Sequence, residues 1–231
     1  MFLGNDENVY ILDKAEGNAA RINGHPAWGS RWNIQTHEAT TMEVKTNSFC
    51  ASGMFLPDGS WASFGGNDAV TINGAAGSQK NPDGTGLWDS VYNDFDGRRA
   101  IRLLKPCKAS AGDDLDSVAC QWSDEPQGNG IMMQKKRWYS AAEPLADGTV
   151  IIIGGFVNGG YINRWFPMTD TVTQKGQAEN SYEYYPARGD AKIVNFLTQT
   201  GGLNSYVHTF LMPSGKLLLQ ANVSTSTSIF L

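Results

Sequence analysis

Apolar and polar residues alternate in short bursts along this chain, and one phrase recurs three times: an apolar run, a turn carrying glycine, then a second apolar run. The copies read Phe49-Cys50-Ala51-Ser52-Gly53-Met54-Phe55-Leu56-Pro57-Asp58-Gly59, Trp138-Tyr139-Ser140-Ala141-Ala142-Glu143-Pro144-Leu145-Ala146-Asp147-Gly148, and Ser205-Tyr206-Val207-His208-Thr209-Phe210-Leu211-Met212-Pro213-Ser214-Gly215. Glycine in such a turn takes positive φ at little cost, so each copy predicts a β-hairpin. The first two continue into the glycine pairs Gly65-Gly66 and Gly154-Gly155, while the third ends in Gln220-Ala221. Paired glycines closing a hairpin permit a tight turn or close backbone packing, and a hairpin ending this way is the kelch pattern of a propeller blade.

The turn glycines lie 89 and 67 residues apart, against about 50 for a kelch repeat. Long loops must fill the excess, and the segments 67–97 and 106–134 are rich enough in Gly, Asn, Asp and Ser to do so. Outer strands are predicted at 100–104, 181–185 and 192–197, with 9–12 and 36–44 coming from an earlier blade. The fold class is therefore all-β, a partial kelch-type β-propeller of about three blades. Because an open arc leaves strand edges uncovered, the protein is expected to continue past Leu231. A self-contained β-sandwich of three hairpins explains the repeated phrase less well.

Composition agrees: 26 Gly, 9 Pro, 10 Phe, 8 Tyr and 7 Trp favour short strands and many turns. A net charge of −5 offers no footprint for nucleic acid or anionic lipid. The one basic run, Lys135-Lys136-Arg137, reads as a solvated strand entrance. No stretch has the length and apolarity of a membrane span, and the opening residues lack the charged and apolar regions of a signal peptide. Three cysteines leave one over if two pair. Cys107 and Cys120 flank a polar loop and are taken as the pair, which leaves Cys50. A disulfide there implies an oxidising, extracellular setting, and the sequon Asn222-Val223-Ser224 agrees.

Cys50, Tyr139 and Tyr206 each stand nine residues before their turn glycine. They are expected at equivalent positions on equivalent strands, and the first strand of each blade lies nearest the propeller axis. A thiol and a phenol in contact there can be joined oxidatively into a thioether that eases formation of a phenoxyl radical, and a phenolate is a competent Cu(II) ligand.

These residues resemble the glyoxal oxidases, copper-radical enzymes related to galactose oxidase. The resemblance rests on Phe-Cys-Ala-Ser-Gly at 49–53, Arg-Trp-Tyr-Ser at 137–140, Ser-Tyr-Glu-Tyr-Tyr-Pro at 181–186, and Arg99-Ala100-Ile101-Arg102 leading to Pro106-Cys107. It covers nearly all of residues 1–231, as one domain forming the N-terminal part of a larger, seven-bladed propeller. It implies that Cys50 is the cross-linked cysteine, Tyr139 its radical-bearing partner and copper ligand, and Phe49 the aromatic beside the cysteine. The family completes its copper site with an adjacent Tyr-His pair and a further His. No adjacent Tyr-His occurs here, so the remaining ligands are expected beyond Leu231. Tyr206-Val207-His208 comes near that pattern, but its strand carries no ligand in the family. Val157 stands where galactose oxidase has a tryptophan, which favours the glyoxal-oxidase branch. The implied activity is oxidation of small aldehydes by O2 to carboxylic acids and H2O2, by a secreted monomer with no nucleic-acid or membrane partner.

The rivals are a non-catalytic kelch module that binds a protein or glycan, and a propeller glycosidase, for which no paired-carboxylate pattern stands out. His25, His37 and His208 have no metal-site spacing and are assigned no role. Asp113, Asp114 and Asp116 read as a solvated loop, and Asp58 and Asp147 as turn residues. Trp88, Trp122 and Trp165 read as packing.

Overall fold

A computed structural model describes residues 1–126, 131–157, 178–200, 205–221 and 226–229. The first sheet contains β1 (Phe2–Leu3), β2 (Asn8–Leu12), β5 (Gly29–Asn33) and β6 (Ala39–Met42), with a ribbon of β3 (Arg21–Ile22) and β4 (His25–Pro26) inserted between β2 and β5. The second comprises β7 (Ser52–Phe55), β8 (Trp61–Phe64) and β11 (Ile101–Leu104), with a ribbon of β9 (Gln79–Lys80) and β10 (Gly86–Trp88) in the long insertion before β11. The third runs β12 (Ala141–Pro144), β13 (Val150–Ile153), β14 (Ser181–Tyr185) and β15 (Lys192–Ile193), followed by the short helix α1 (Asn195–Gln199). The fourth is β16 (His208–Leu211), β17 (Leu217–Gln220) and β18 (Ser226–Ile229). All pairings between these strands are antiparallel.

The three predicted hairpins are β7–β8, β12–β13 and β16–β17, and their registers coincide: Ser52 faces Phe64, Ala141 faces Ile153, and His208 faces Gln220. Their turns are built alike. Gly59, Gly148 and Gly215 adopt φ of +83°, +83° and +78°. Each donates its N–H to the carbonyl three residues back, at 3.0, 2.9 and 2.9 Å. Asp58 and Asp147 accept the N–H of Ser60 (2.9 Å) and Thr149 (3.0 Å), so both carboxylates serve the turns as expected.

Strand β13 explains why its sequence is an unbroken apolar run. It lies between β12 and β14 and is buried on both faces, a setting that favours continuous rather than alternating hydrophobicity. Ile151 and Ile153 pack with Val194, Leu197, Leu217 and Leu219 toward the fourth sheet, while Val150 and Ile152 pack with Ala62, Phe64 and Ile101 of the second. Successive sheets thus stack face to face. Their first strands also neighbour one another: β7 packs on β12, and β12 on β16. Ser52 and Ser140 share a hydroxyl hydrogen bond of 3.0 Å across the first junction, and Glu143 accepts the N–H of Leu211 at 3.1 Å across the second.

Three expectations change. The first sheet has four strands of its own, so four sheets of three or more strands stand where the sequence suggested about three blades. The predicted strand 192–197 stops at Ile193 and gives way to α1, because helical spacing sends Val194 and Leu197 together into the core between the third and fourth sheets. The basic run is a solvated entrance only in part: Lys135 is exposed and Lys136 half-buried, but Arg137 has 0% of its surface exposed. Its Nε donates to Glu183 Oε1 (2.9 Å), its Nη1 to the carbonyls of Gly154 and Ser181 (2.9 Å each), and its Nη2 to Ser181 Oγ (2.9 Å). Cys107 and Cys120 form a disulfide and Cys50 is free, as the residue count suggested.

Candidate functional site

Cys50, Tyr139 and Tyr206 do not lie on the strands, as the sequence implied, but two residues ahead of β7, β12 and β16. All three adopt positive φ, at 59°, 62° and 47°. A side chain in this left-handed region costs about 1–2 kcal/mol relative to ordinary backbone, so the repetition reflects a shared local geometry at the mouth of each hairpin. Tyr139 N donates to the Cys50 carbonyl (3.2 Å), and Tyr206 N to the Tyr139 carbonyl (2.9 Å). One rung of backbone hydrogen bonds therefore ties the three positions across three sheets.

The glycine pair after β8 makes this approach possible. A Cβ on Gly65 would sit 2.1 Å from the Arg137 carbonyl oxygen, and one on Gly66 2.1 Å from the Asn47 carbonyl oxygen. Only glycine lets the segment bearing Arg137, Trp138 and Tyr139 close on the end of the second sheet. Behind Tyr139, Trp138 exchanges backbone hydrogen bonds with Phe156 (2.9 and 2.7 Å), and both are buried. Phe49, Cys50 and Tyr139 pack against this pair, with the Phe49 and Trp138 rings 6.3 Å apart.

The structure thus brings the predicted site residues Phe49, Cys50 and Tyr139 together. It adds Tyr206, whose ring meets that of Tyr139 edge to face at 5.1 Å and 75°. Cys50 and Tyr139 pack against the same buried pair, Trp138 and Phe156, and Cys50 lines a cavity with Tyr206. Burial first, then the hydrogen bond to Cys50, pushes the Tyr139 phenol up to about 12. Burial and the neighbouring Cys50 push Tyr206 up as well. Both are therefore neutral O–H groups at neutral pH, and Tyr139 must shed that proton to serve as a phenolate ligand. Cys50 and Tyr206 share the wall of a cavity of about 260 Å³. The signal that could have found Tyr206 was already the shared register.

As a copper site the donor set is a partial fit. One thiol and two phenols converge, but no imidazole joins them. His25 is buried and bonded to Glu43 Oε1 (2.8 Å), and His37 stacks on Trp32 at 5.6 Å. His208 opens β16 with its surface exposed. No group of three or more His, Cys, Asp or Glu able to hold a metal occurs among the described residues. Asp113, Asp114 and Asp116 are exposed, in keeping with a solvated loop. Trp122 is buried in the core, and Trp88 Nε1 donates to Asn93 Oδ1 (2.9 Å). Val157 offers its carbonyl to Arg98 Nη1 at 2.7 Å. Trp165 and the sequon at Asn222 lie outside the described residues.

Comparison with known proteins places these residues in context. The chain is 29% identical over 195 residues to an aldehyde oxidase, GLOX, of Vitis pseudoreticulata, covering 82% of this chain and 26% of that protein. It is 24% identical over 177 residues to a WSC domain-containing protein of Arthroderma benhamiae, covering 77% of this chain and 14% of that protein. Among solved structures it is similar to a fungal alcohol oxidase of the AA5 family in complex with copper, at 16% identity and a TM-score of 0.36, covering 64% of this chain and 23% of that one. No family model matches. The chain is a distant homologue of GLOX, in line with the resemblance read from its motifs, and spans about a quarter of that relative's length.

Proposed function

We propose that this chain is a segment of a copper-radical oxidase, in which Cys50 and Tyr139 form a thioether cofactor and Tyr139 is a copper ligand. The observation that carries the reading is that Cys50 and Tyr139, from adjacent sheets, are joined by a backbone hydrogen bond and pack on the same Trp138–Phe156 pair, at one register and with one backbone conformation. The distant homology to an aldehyde oxidase supports it. Four sheets stacked face to face, with the first strands of the last three side by side, support an arc of a kelch-type propeller as the scaffold.

Thioether formation removes the hydrogen of the Cys50 thiol and one ring hydrogen of Tyr139. A C–S bond forms, and two electrons and two protons pass to O2, giving H2O2. Copper, when bound, supplies one-electron redox chemistry and a Lewis-acidic position for substrate. This chain's own contribution is positional. Trp138 and Phe156 pack the pair from the protein side, and Tyr139 Oη holds its proton until a metal or base takes it. Imidazole donors would have to be other than this chain's three histidines, none of which joins the site. The overall reaction takes a hydrated small aldehyde and O2 to a carboxylic acid and H2O2, with the glyoxal or methylglyoxal type as the substrate class. The Cys107–Cys120 disulfide supports a secreted protein.

Mass spectrometry of the full-length, copper-loaded, aerated protein tests this, since this chain by itself lacks the imidazole ligands and is expected to be inactive. A loss of two hydrogens, with a proteolytic fragment joining Cys50 to Tyr139, is expected, and Cys50→Ser abolishes both. Separate, unmodified peptides after copper loading would sink the reading.

A further inference from the structure

Trp138 and Phe156 form an isolated antiparallel bridge, and Cys50 and Tyr139 both pack on it. Arg98 holds that bridge on both of its strands. Its backbone carbonyl accepts the N–H of Arg137 at 2.7 Å, one residue before Trp138, and its Nη1 donates to the carbonyl of Val157 at 2.7 Å, one residue after Phe156. The side chain is fully buried, and the long insertion 67–97 sets its aim. Nε and Nη2 grip the two carboxylate oxygens of Asp96 at 2.8 and 2.6 Å, and Nη2 also donates to Thr85 Oγ1 at 2.6 Å. A second tie runs from Lys136 Nζ to Asp83 Oδ2 at 2.7 Å. A planar guanidinium fixed at one end by a carboxylate presents its remaining donor in a set direction, which an ammonium on a flexible stem does not. Here that donor meets the main chain beside the bridge.

We infer that Arg98 is a positioning residue for the Cys50–Tyr139 pair: through Arg137 and Val157 it fixes the Trp138–Phe156 bridge, and so ties the insertion to the ring of Tyr139, which Trp138 backs at 4.3 Å between centroids. None of the side-chain hydrogen bonds of Arg98 goes to Cys50 or Tyr139, so it acts through the bridge. The clamp stands on these hydrogen bonds alone, while its catalytic consequence rests on the oxidase reading. In thioether formation the thiol hydrogen and one ring hydrogen leave as two protons and two electrons for O2, and the C–S bond forms only while sulfur and ring are aligned. A misplacement of about 1 Å, caused far from the reacting atoms, costs such a step about a hundredfold.

Two measurements on the full-length protein test this. The first needs no copper and follows hydrogen exchange by mass spectrometry in Arg98→Lys, which keeps the charge but loses the fork. Peptides carrying the Trp138 and Phe156 amides are expected to exchange about ten- to a hundredfold faster relative to those of β13, the size of one hydrogen bond to a charged group. Asp96→Asn, which loosens the other end of the fork, serves the same comparison should Arg98→Lys not fold. An unchanged ratio overturns the proposal. So does an equal change in Cys107→Ser with Cys120→Ser, where the clamp is intact and only general stability falls. In the second, copper(II) and O2 are added and the linked 50–139 fragment is followed in time. Arg98→Lys is expected to form the link about ten- to a hundredfold more slowly and the disulfide variant at the wild-type rate, and an unchanged rate in Arg98→Lys overturns the positioning role. If wild type forms no link at all, the oxidase reading fails instead, and the exchange ratio still decides whether Arg98 holds the bridge.

Discussion

At the scale of single residues, burial of ionisable groups sets how this protein responds to pH. Asp94 is 0% exposed, its Oδ2 accepts the Val70 N–H at 2.9 Å, and its Oδ1 has no partner. Burial, with Asp89 and Asp68 adding to it, pushes its carboxyl up to about 7. The unfolded carboxyl titrates near 4, so the folded state prefers the protonated form. Stability from this group is fully present below that lower value and is lost as pH rises through about 7. Asp94→Asn should flatten this dependence and raise stability at pH ~8 by a few kcal/mol, read by urea titration at several pH values. Tyr139 works the same way at higher pH. Its phenol is held up to about 12, so folding weakens between the ordinary value near 10 and that limit. Removing the thiol with Cys50→Ala should narrow the window from its upper end, as followed by tyrosinate absorbance.

At the scale of elements, the sheets are joined by buried arginines as much as by apolar layers. Arg137 enters just before β12, yet its guanidinium satisfies Glu183 and Ser181 on β14 and the Gly154 carbonyl after β13. Arg102, on β11, does the equivalent for the second sheet. It donates to Thr46 Oγ1 (2.7 Å) and to the Gly65 carbonyl (2.7 Å). Charges so deeply buried stabilise only when every donor is matched, and removing one partner strands the other. Arg137→Met should therefore cost about 3–5 kcal/mol in chemical denaturation by leaving the buried Glu183 without its counter-charge, although it still accepts the N–H groups of Gln134 and Lys135. Arg137→Met with Glu183→Leu should recover much of that loss, because the stranded charge is gone. A double variant no better than the single one would show that the carbonyl contacts of Arg137 outweigh the ion pair.

At the scale of the whole molecule, the long insertions are fastened back onto the sheets. Cys107–Cys120 closes a loop with a sequence separation of 13. Asn5 Nδ2 donates to the Cys107 carbonyl (2.8 Å), and Lys108 pairs with Asp6 (2.7 Å), which anchors the loop to the first sheet. Cys107→Ser with Cys120→Ser should lower stability by about 3 kcal/mol through restored freedom of the unfolded loop. The disulfide lies on a different loop from Cys50. Thioether formation in the aerated copper-loaded variant should therefore persist wherever the fold does, as peptide mapping would show.

Much of this molecule was written locally. Turn chemistry at Gly59, Gly148 and Gly215 and the alternation around it made the hairpins legible, and the count back from those glycines puts Cys50, Tyr139 and Tyr206 in one register. Local signals sufficed because strand period and turn type depend on neighbours in sequence. Tertiary structure alone decided the rest. Residues 195–199 became helix because Leu197, with the capping Val194, had a core to fill, and Arg137 became a buried clasp because Glu183 and Ser181 arrive from β14. The cavity-side placement of Tyr206 likewise depends on how the fourth sheet docks beside the third. Which side chains meet across sheets is set by packing between segments far apart in the chain, and no run of adjacent residues encodes it.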